Sequence, residues 1–372
     1  MTKFRKVAAL MLCVVMMFTF ASCRTENENV LVYTDQNGKE VAIRSALYML
    51  YQIDATSQYQ DEYDEQTTTS VETDTDTDEQ VNYEETSIGD KSYNEWVQEK
   101  ALELCAQHAF IEIDFENAGL TLDADAQSNV ESAIEQQWDS YSEYFEKNGI
   151  AKSTFEIYIT NLYKRDLLFD HYYGKGGSKE VSTDEMGKYL LDNALLVNVL
   201  SYSTVTYDES YNQVAVDEAT VEANTAVIKS CIDKLNAGED YASVRAYYFK
   251  AVGEEDTADV STSTAKYPYA TVVGNSDTGL STFEKYDELA KVEIGKAAFF
   301  ETDTAIALMQ RLDMNEDLDY CVESNKDTII HDLKDDEFDE LCNTGAAEYD
   351  CAKNDSALKF YRADKLQLET EQ

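Results

Sequence analysis

"LVNVLSYSTV", Leu196–Val205, is an apolar, β-prone run in a chain whose other long segments are acidic and helical in pattern. Its Val, Leu and Tyr content predicts a strand. From Leu195 the pattern continues as a helix over Glu218–Asn236, the segment "AGEDYASVRAYYF", a polar Gly-containing stretch and a last apolar run, "TAIALMQRL". This mixture predicts a small α+β domain over 195–314. Whether that domain is catalytic depends on what else the chain brings to it.

On both sides of it the pattern is helical. Val97, Ala101, Leu104, His108, Ile111, Phe115 and Ala118 recur at spacings of four and three, which places them on one helix face. A lone histidine in such a stripe is expected to be a hydrogen-bonded core residue. A second helix carries Val130, Ile134, Trp138, Tyr141 and Phe145 and breaks at Gly149; a third begins behind Ser153 with Phe155, Ile159, Leu162 and Phe169. After the α+β segment, "NEDLDYCVESNKDTIIHDLKDDEFDELC" predicts a long helix, followed by a strand at Tyr349–Ala352. The fold class is therefore mainly α with an inserted α+β domain, the helical domain being discontinuous: 23–194, resumed over 315–372. Near the start, "NVLVYTDQNGKEVA" predicts a strand and an Asn37-Gly38 turn leading into a helix from about Arg44 to Gln58. Residues 60–90, rich in Thr, Asp and Glu, are expected to be a mobile acidic loop.

The 74 Asp and Glu against 30 Lys and Arg give a net charge of −44, which disfavours nucleic acid and anionic lipid surfaces as direct partners. "MTKFRK" followed by "VAALMLCVVMMFTF" is a positive segment and an apolar core too short for a comfortable span, so 1–22 is expected to be a signal peptide. Phe20-Ala21-Ser22-Cys23 resembles the lipobox of bacterial lipoproteins, which implies lipidation at Cys23 and a place on the extracytoplasmic face of the bacterial cell membrane. Phe20 stands where Leu is usual. Setting aside Cys13 and Cys23 leaves five cysteines with no CxxC spacing, which describes neither a disulfide framework nor a zinc site. Pairing among Cys321, Cys342 and Cys351 stays open beside the reading as buried free thiols. Asp74, Asp76, Asp78 and Glu85 have the spacing of a calcium loop, but Glu79 occupies the position that needs Gly, so a solvated acidic loop is expected. No GxSxG, HExxH, P-loop or dinucleotide fingerprint occurs, and no cofactor, metal or small-molecule substrate is expected.

This arrangement resembles the SurA and PrsA group of extracytoplasmic foldases, in which a parvulin-type prolyl isomerase domain interrupts a helical chaperone domain. The resemblance runs from about Val30 to the carboxyl end and rests on "SYNEWVQEKALELCAQHAFIEIDFENAGLTLDADA", "DHYYGKGGSKEVSTDEMGKYLLDNALLVNVLSYST" and "KVEIGKAAFFETDTAIALMQRLD". In the last of these, Gly295 stands at the family's turn glycine, Thr302 at its threonine, and Ala305–Met309 where Gly-Tyr-His-Ile-Ile would be. The family's first histidine falls at Ser201 and its second at Ala307. The only histidines here are His108, His171 and His331, all outside 195–314.

The resemblance thus implies a lipid-anchored chaperone that binds unfolded or newly secreted polypeptides, with no catalytic residues assigned and weak or no isomerase activity. Two alternatives stand beside it. One is an active prolyl isomerase with an atypical site; the other is a non-catalytic envelope or solute-binding lipoprotein, although the repeated βα units of solute-binding folds are not evident. Trp138, Tyr141 and Tyr144 are the candidate peptide contacts, with bundle core as the competing role for at least one of them.

Overall fold

The computed structural model describes residues 28–68, 81–208 and 211–367. Cys23 and the acidic positions 74, 76 and 78 lie outside them. The chain forms two compact units. One takes the chain up to Tyr172, Gly176–Ser178 and Asp336 onward; the other takes Tyr173–Lys175 and Lys179–Asp335. These limits differ from those expected at 194/195 and 314/315, because a helix before the first strand and most of the helix after the last one belong with the sheet.

The first unit opens with β1 (Asn29–Thr34) and β2 (Glu40–Arg44), an antiparallel hairpin. Asp35 closes its turn by accepting from the backbone of Asn37 and Lys39. The helix α1 (Ser45–Thr68) follows directly and runs into the stretch expected to be loop. Aromatic contacts explain the difference: Tyr63 stacks on Tyr59 at 6.2 Å and meets Tyr83 edge-on at 5.9 Å, while the Tyr83 hydroxyl donates to Asp64. A few rings spaced among acids thus overrule the average composition. Beyond Tyr83 the chain forms a small hairpin, β3 (Ser87–Ile88) with β4 (Lys91–Ser92), in which Ile88 is buried.

Ser92 and Glu95 form a capping box at the start of α2 (Tyr93–Asn117). Asp123 caps α3 (Ala124–Lys147) by accepting from the Ala126 N–H, and α4 (Lys152–Tyr173) follows. The apolar stripes read from the sequence face a common core through Val97, Ala101, Val130, Ile134, Phe155 and Ile159. Leu162 is an exception at 37 % exposed, so the core-facing stripe of α4 omits that position.

In the second unit, α5 (Thr183–Asn193) leads into β5 (Ala194–Ser203), the long strand that contains the opening stretch. A hairpin of β6 (Val205–Tyr207) and β7 (Gln213–Ala215) precedes α6 (Glu218–Asn236) and α7 (Tyr241–Val252), which Asp217 and Asp240 cap. Then come β8 (Ala270–Gly274), the short α8 (Tyr286–Leu289), β9 (Ala297–Glu301) and β10 (Ala305–Leu312). The sheet is antiparallel, in the order β8-β5-β10-β9. Leu200, Ile306 and Leu308 pack against Ile228, Cys231 and Leu235 of α6 and Val244 and Tyr248 of α7.

The helix α9 (Leu318–Ala346) carries the chain from the second unit back to the first at 335/336. In the first unit Phe338 meets Phe169 edge-on at 5.4 Å, and Arg165 donates to Asp339 at 2.9 Å. Gly345 is required here, since a Cβ would lie 2.2 Å from the Phe110 ring. The strand β11 (Asp350–Lys353), one residue later than expected at each end, pairs with β1 and completes the order β11-β1-β2 before α10 (Asp355–Phe360). Cys105, Cys231, Cys321 and Cys342 are buried free thiols, and Cys351 is a half-buried one.

Candidate functional site

Two surfaces carry the residues singled out in the sequence, one in each unit. In the first unit, α1, α3 and α4 border an open cavity of about 420 Å³ whose lining includes Leu50, Ile53, Asp54, Tyr141, Tyr144 and Tyr158. Tyr141 is 48 % exposed, so its ring is available at the mouth. Phe145 forms the inner wall, with the rings of Tyr144 and Tyr141 at 5.7 and 6.4 Å from it. Trp138 is not part of the lining. Its indole stacks on Phe145 at 5.9 Å and meets Phe155 at 5.8 Å, which makes it the support behind that wall. Asp54 and Tyr158, which the sequence reading missed, add a polar element: the Tyr158 hydroxyl donates to Asp54 Oδ2 at 3.0 Å. Burial, then the neighbouring carboxylate, raise the Tyr158 phenol well above its ordinary range, so it stays a neutral donor. The lining can therefore bury apolar side chains against aromatic faces while one carboxylate stands among them. Only the packing of three helices reveals this, since Asp54 and Tyr158 are far apart in the chain.

His108 is buried on α2 beside this core. Its Nδ1 lies 2.7 Å from the Tyr51 hydroxyl, and burial lowers its pKa from 6.5 to about 4, leaving a neutral imidazole near pH 7. Nearby, burial opposes ionisation of Glu112. Bonds from Asn161 at 3.0 Å and Lys164 at 2.5 Å nevertheless hold its carboxyl below the usual range. These contacts make His108 a structural core residue.

In the second unit, Ser201 and Ala307 are direct partners in the β5–β10 ladder, and Phe300 is the partner of Ala307 on its other side. Residues directly opposite in antiparallel strands project to the same face. Ser201, Ala307 and Phe300 therefore form a row across the sheet, on the face that also carries Leu195, Val197 and Met309. Phe283 meets Phe300 edge-on at 5.4 Å. Ser201 is exposed, while Ala307 is only 8 % exposed, so its methyl is covered. Tyr241 and Tyr248 of α7 donate their hydroxyls to the carbonyls of Val199 and Ser201 at 2.9 and 2.8 Å, fixing the strand from the opposite side. Gly295 adopts φ +83° and donates to Arg311 O at 2.7 Å, and Thr302 Oγ1 accepts from the Ala305 N–H at 3.1 Å. His331 lies on α9, with Nδ1 3.0 Å from Asp335.

No protein-family model matches the chain, and no curated protein does either. Among solved structures the chain is similar to PrsA foldases. The foldase protein PrsA from Streptococcus pneumoniae shares 12 % identity over 71 % of this chain and 89 % of its own, at a TM-score of 0.36. For the foldase protein PrsA from Lactococcus lactis the identity is 14 % over 71 % and 87 %, at 0.35. For PrsA from Bacillus subtilis it is 11 % over 74 % and 87 %, at 0.29. At these identities and TM-scores, the site has to be argued from this chain's own residues. Among the described residues, no helix is long and apolar enough to cross a membrane.

Proposed function

We propose that this protein is an extracytoplasmic chaperone, held at the membrane by lipid on Cys23, that binds unfolded secreted polypeptides and uses no cofactor. The observation that carries this reading is the 420 Å³ cavity with Tyr141 at its mouth and Tyr144, Phe145 and Tyr158 around it. Transient burial of an apolar side chain there contributes about 1.5–3 kcal/mol, enough for reversible capture when several such contacts add along a chain. The net charge of −44 keeps the chaperone soluble, repels nucleic acid and attracts basic clients. At the two positions where the resembling family carries histidine, this chain has a hydroxyl and a covered methyl, so no imidazole is supplied there to polarise a prolyl imide.

The test is suppression of client aggregation, followed by light scattering with the purified chain and a denatured, aggregation-prone protein. Wild type suppresses scattering, and the Tyr141→Ala/Tyr144→Ala pair loses at least half of that effect while keeping its circular dichroism. Full suppression by the folded double variant would remove the cavity from the account. No suppression by wild type would remove the chaperone reading itself.

A second reading, a slow prolyl isomerase that works by preferring a twisted imide, would act at the exposed Ser201, the one member of the row not buried, since Ala307 and Phe300 are 8 % and 5 % exposed. A protease-coupled prolyl-peptide assay decides it. Turnover above background that disappears on Ser201→Ala, with the sheet intact, would establish this reading in place of a pure binder.

A further inference from the structure

The sheet of the first unit leaves one edge open. In the order β11-β1-β2, β2 is terminal, and no strand among the described residues pairs with its outer side. The register shows which backbone groups are unused. Asp35 N–H donates to Lys39 O at 3.0 Å, and the next pairs at the same parity are Tyr33 with Val41 and Leu31 with Ile43. Hydrogen-bonded pairs alternate in an antiparallel ladder, so Val41 and Ile43 turn their N–H and C=O to β1. Those of Glu40 and Ala42 point outward. The other side of β1 agrees, since Val30 O accepts from Asn354 N there.

Those outward groups border a groove of about 650 Å³. Glu40, Ala42 and Arg44 form one side and are exposed; α4 forms the other, where Ile157 is 51 % exposed. The deeper ionic pair of Glu112 and Lys164 is already satisfied, with Asn161 as a third partner. Among the described residues, what remains unmet is a run of peptide donors and acceptors beside an apolar side chain. A folded surface would not enter such a slot, but an extended strand would: it supplies backbone groups in register and a side chain for Ile157. Glu40 and Glu156 outnumber Arg44 around the groove, within a chain of net charge −44, so the strand that fits carries lysine or arginine.

We propose that the open edge of β2 captures an extended, lysine- or arginine-bearing segment of a partner polypeptide by strand addition, with Ile157 as its apolar contact. This rests on the polypeptide-binding reading above and adds to it a backbone-directed mode that does not depend on the aromatic cavity. Exposed edges are usually blocked by charge, proline or bulges. Here Glu40 and Arg44 stand at the two ends of β2, while the centre, Ala42, is unobstructed.

The probe is a fluorescent ten-residue peptide of alternating Lys and Val, titrated against the full chain by anisotropy. Two versions are N-methylated at alternate residues, one on each parity. One methylated version should bind at least tenfold more weakly and the other within twofold of the parent; equal affinities for the two would overturn strand addition. Amide exchange at Glu40 and Ala42 should slow in the complex, and unchanged exchange would overturn it as well. Ala42→Pro removes an outward N–H while sparing the ladder to β1, and should lower probe affinity at least tenfold. The methylated peptides give the same answer with the unaltered chain if that variant does not fold. A Glu/Val peptide that binds as well as the Lys/Val one would overturn the charge assignment. Sedimentation that shows self-association of the chain alone, lost in Ala42→Pro, would overturn the proposal in favour of a second copy at this edge. If wild type suppresses client aggregation but ignores the probe, this inference falls and the chaperone reading stands; if it does neither, both fall.

Discussion

The helical unit buries Ser45, Gln52, Thr56, His108 and Asn161 within its core, each at 3 % exposure or less, whereas the buried polar residues of the sheet unit are Asn198 and Asn224. The sheet unit is held by two aliphatic and aromatic layers, one on each face of β5 and β10. Its ladder satisfies most of the backbone, and side-chain bonds such as those of Tyr241 and Tyr248 run to carbonyls of the strand rather than from one core side chain to another. The helical unit instead joins its helices through side-chain bonds: Tyr51 to His108, Thr56 to Tyr93, and Gln52 to the carbonyl of Tyr361. Ser45 Oγ and Gln52 Oε1 find no partner among the described residues. Apolar packing and polar bridging respond differently to mutation and pH, and this separates the two units experimentally.

The largest effect belongs to the sheet unit. Leu308 is fully buried between β10 and α6, so Leu308→Ala is expected to lose about 2–5 kcal/mol. Both tryptophans, Trp96 and Trp138, lie in the helical unit, so urea unfolding followed by far-UV circular dichroism and by tryptophan fluorescence distinguishes the units. A loss below 1 kcal/mol would show that the aliphatic layer is not what holds the sheet.

The next effect is confined to the helical unit and depends on acid. The His108 pKa is lowered on folding, so the unfolded chain binds the proton first as pH falls, and stability drops between about 6.5 and about 4. That interval corresponds to about 3 kcal/mol. His108→Gln should flatten the difference across this window when denaturation midpoints are compared at pH 7 and pH 4. An unchanged slope would mean that the imidazole is not held neutral. The smallest effect has the opposite sign. Ser45→Ala removes an unpaired buried hydroxyl from α1 and should stabilise the helical unit by up to about 1 kcal/mol, read from tryptophan fluorescence; a clear loss would reveal a partner for that oxygen.

Much of this division was legible in the residues. The helix over Glu218–Asn236 and the stripe from Val97 to Phe115 follow from caps and period. Other parts depend on partners distant in the chain. The pairing of Ser201 with Ala307 joins strands more than a hundred residues apart, and neither strand's pattern specifies its mate. Tyr141 and Tyr144 could be picked out as aromatic, but whether each faced a cavity or the core was fixed by where α1 and α4 lie against α3. The extension of α1 to Thr68 was hidden by local acidity, because its stabilising rings, Tyr63 and Tyr83, are separated by the most polar stretch of the chain. The open edge of β2 could not be read at all, since an unpaired strand is defined by what fails to arrive beside it.

The pairing of β1 with β11 sets an order on assembly. The two strands stand on either side of the whole second unit in sequence order, so the three-stranded sheet is incomplete until the chain beyond α9 is in place. The stretch from Lys179 to Asp335 is contiguous and needs no strand from beyond it to complete its own sheet. Without β11, β1 has a vacant side as well as β2, so the unfinished sheet presents two strand edges where the completed one presents the edge of β2 and that of β11.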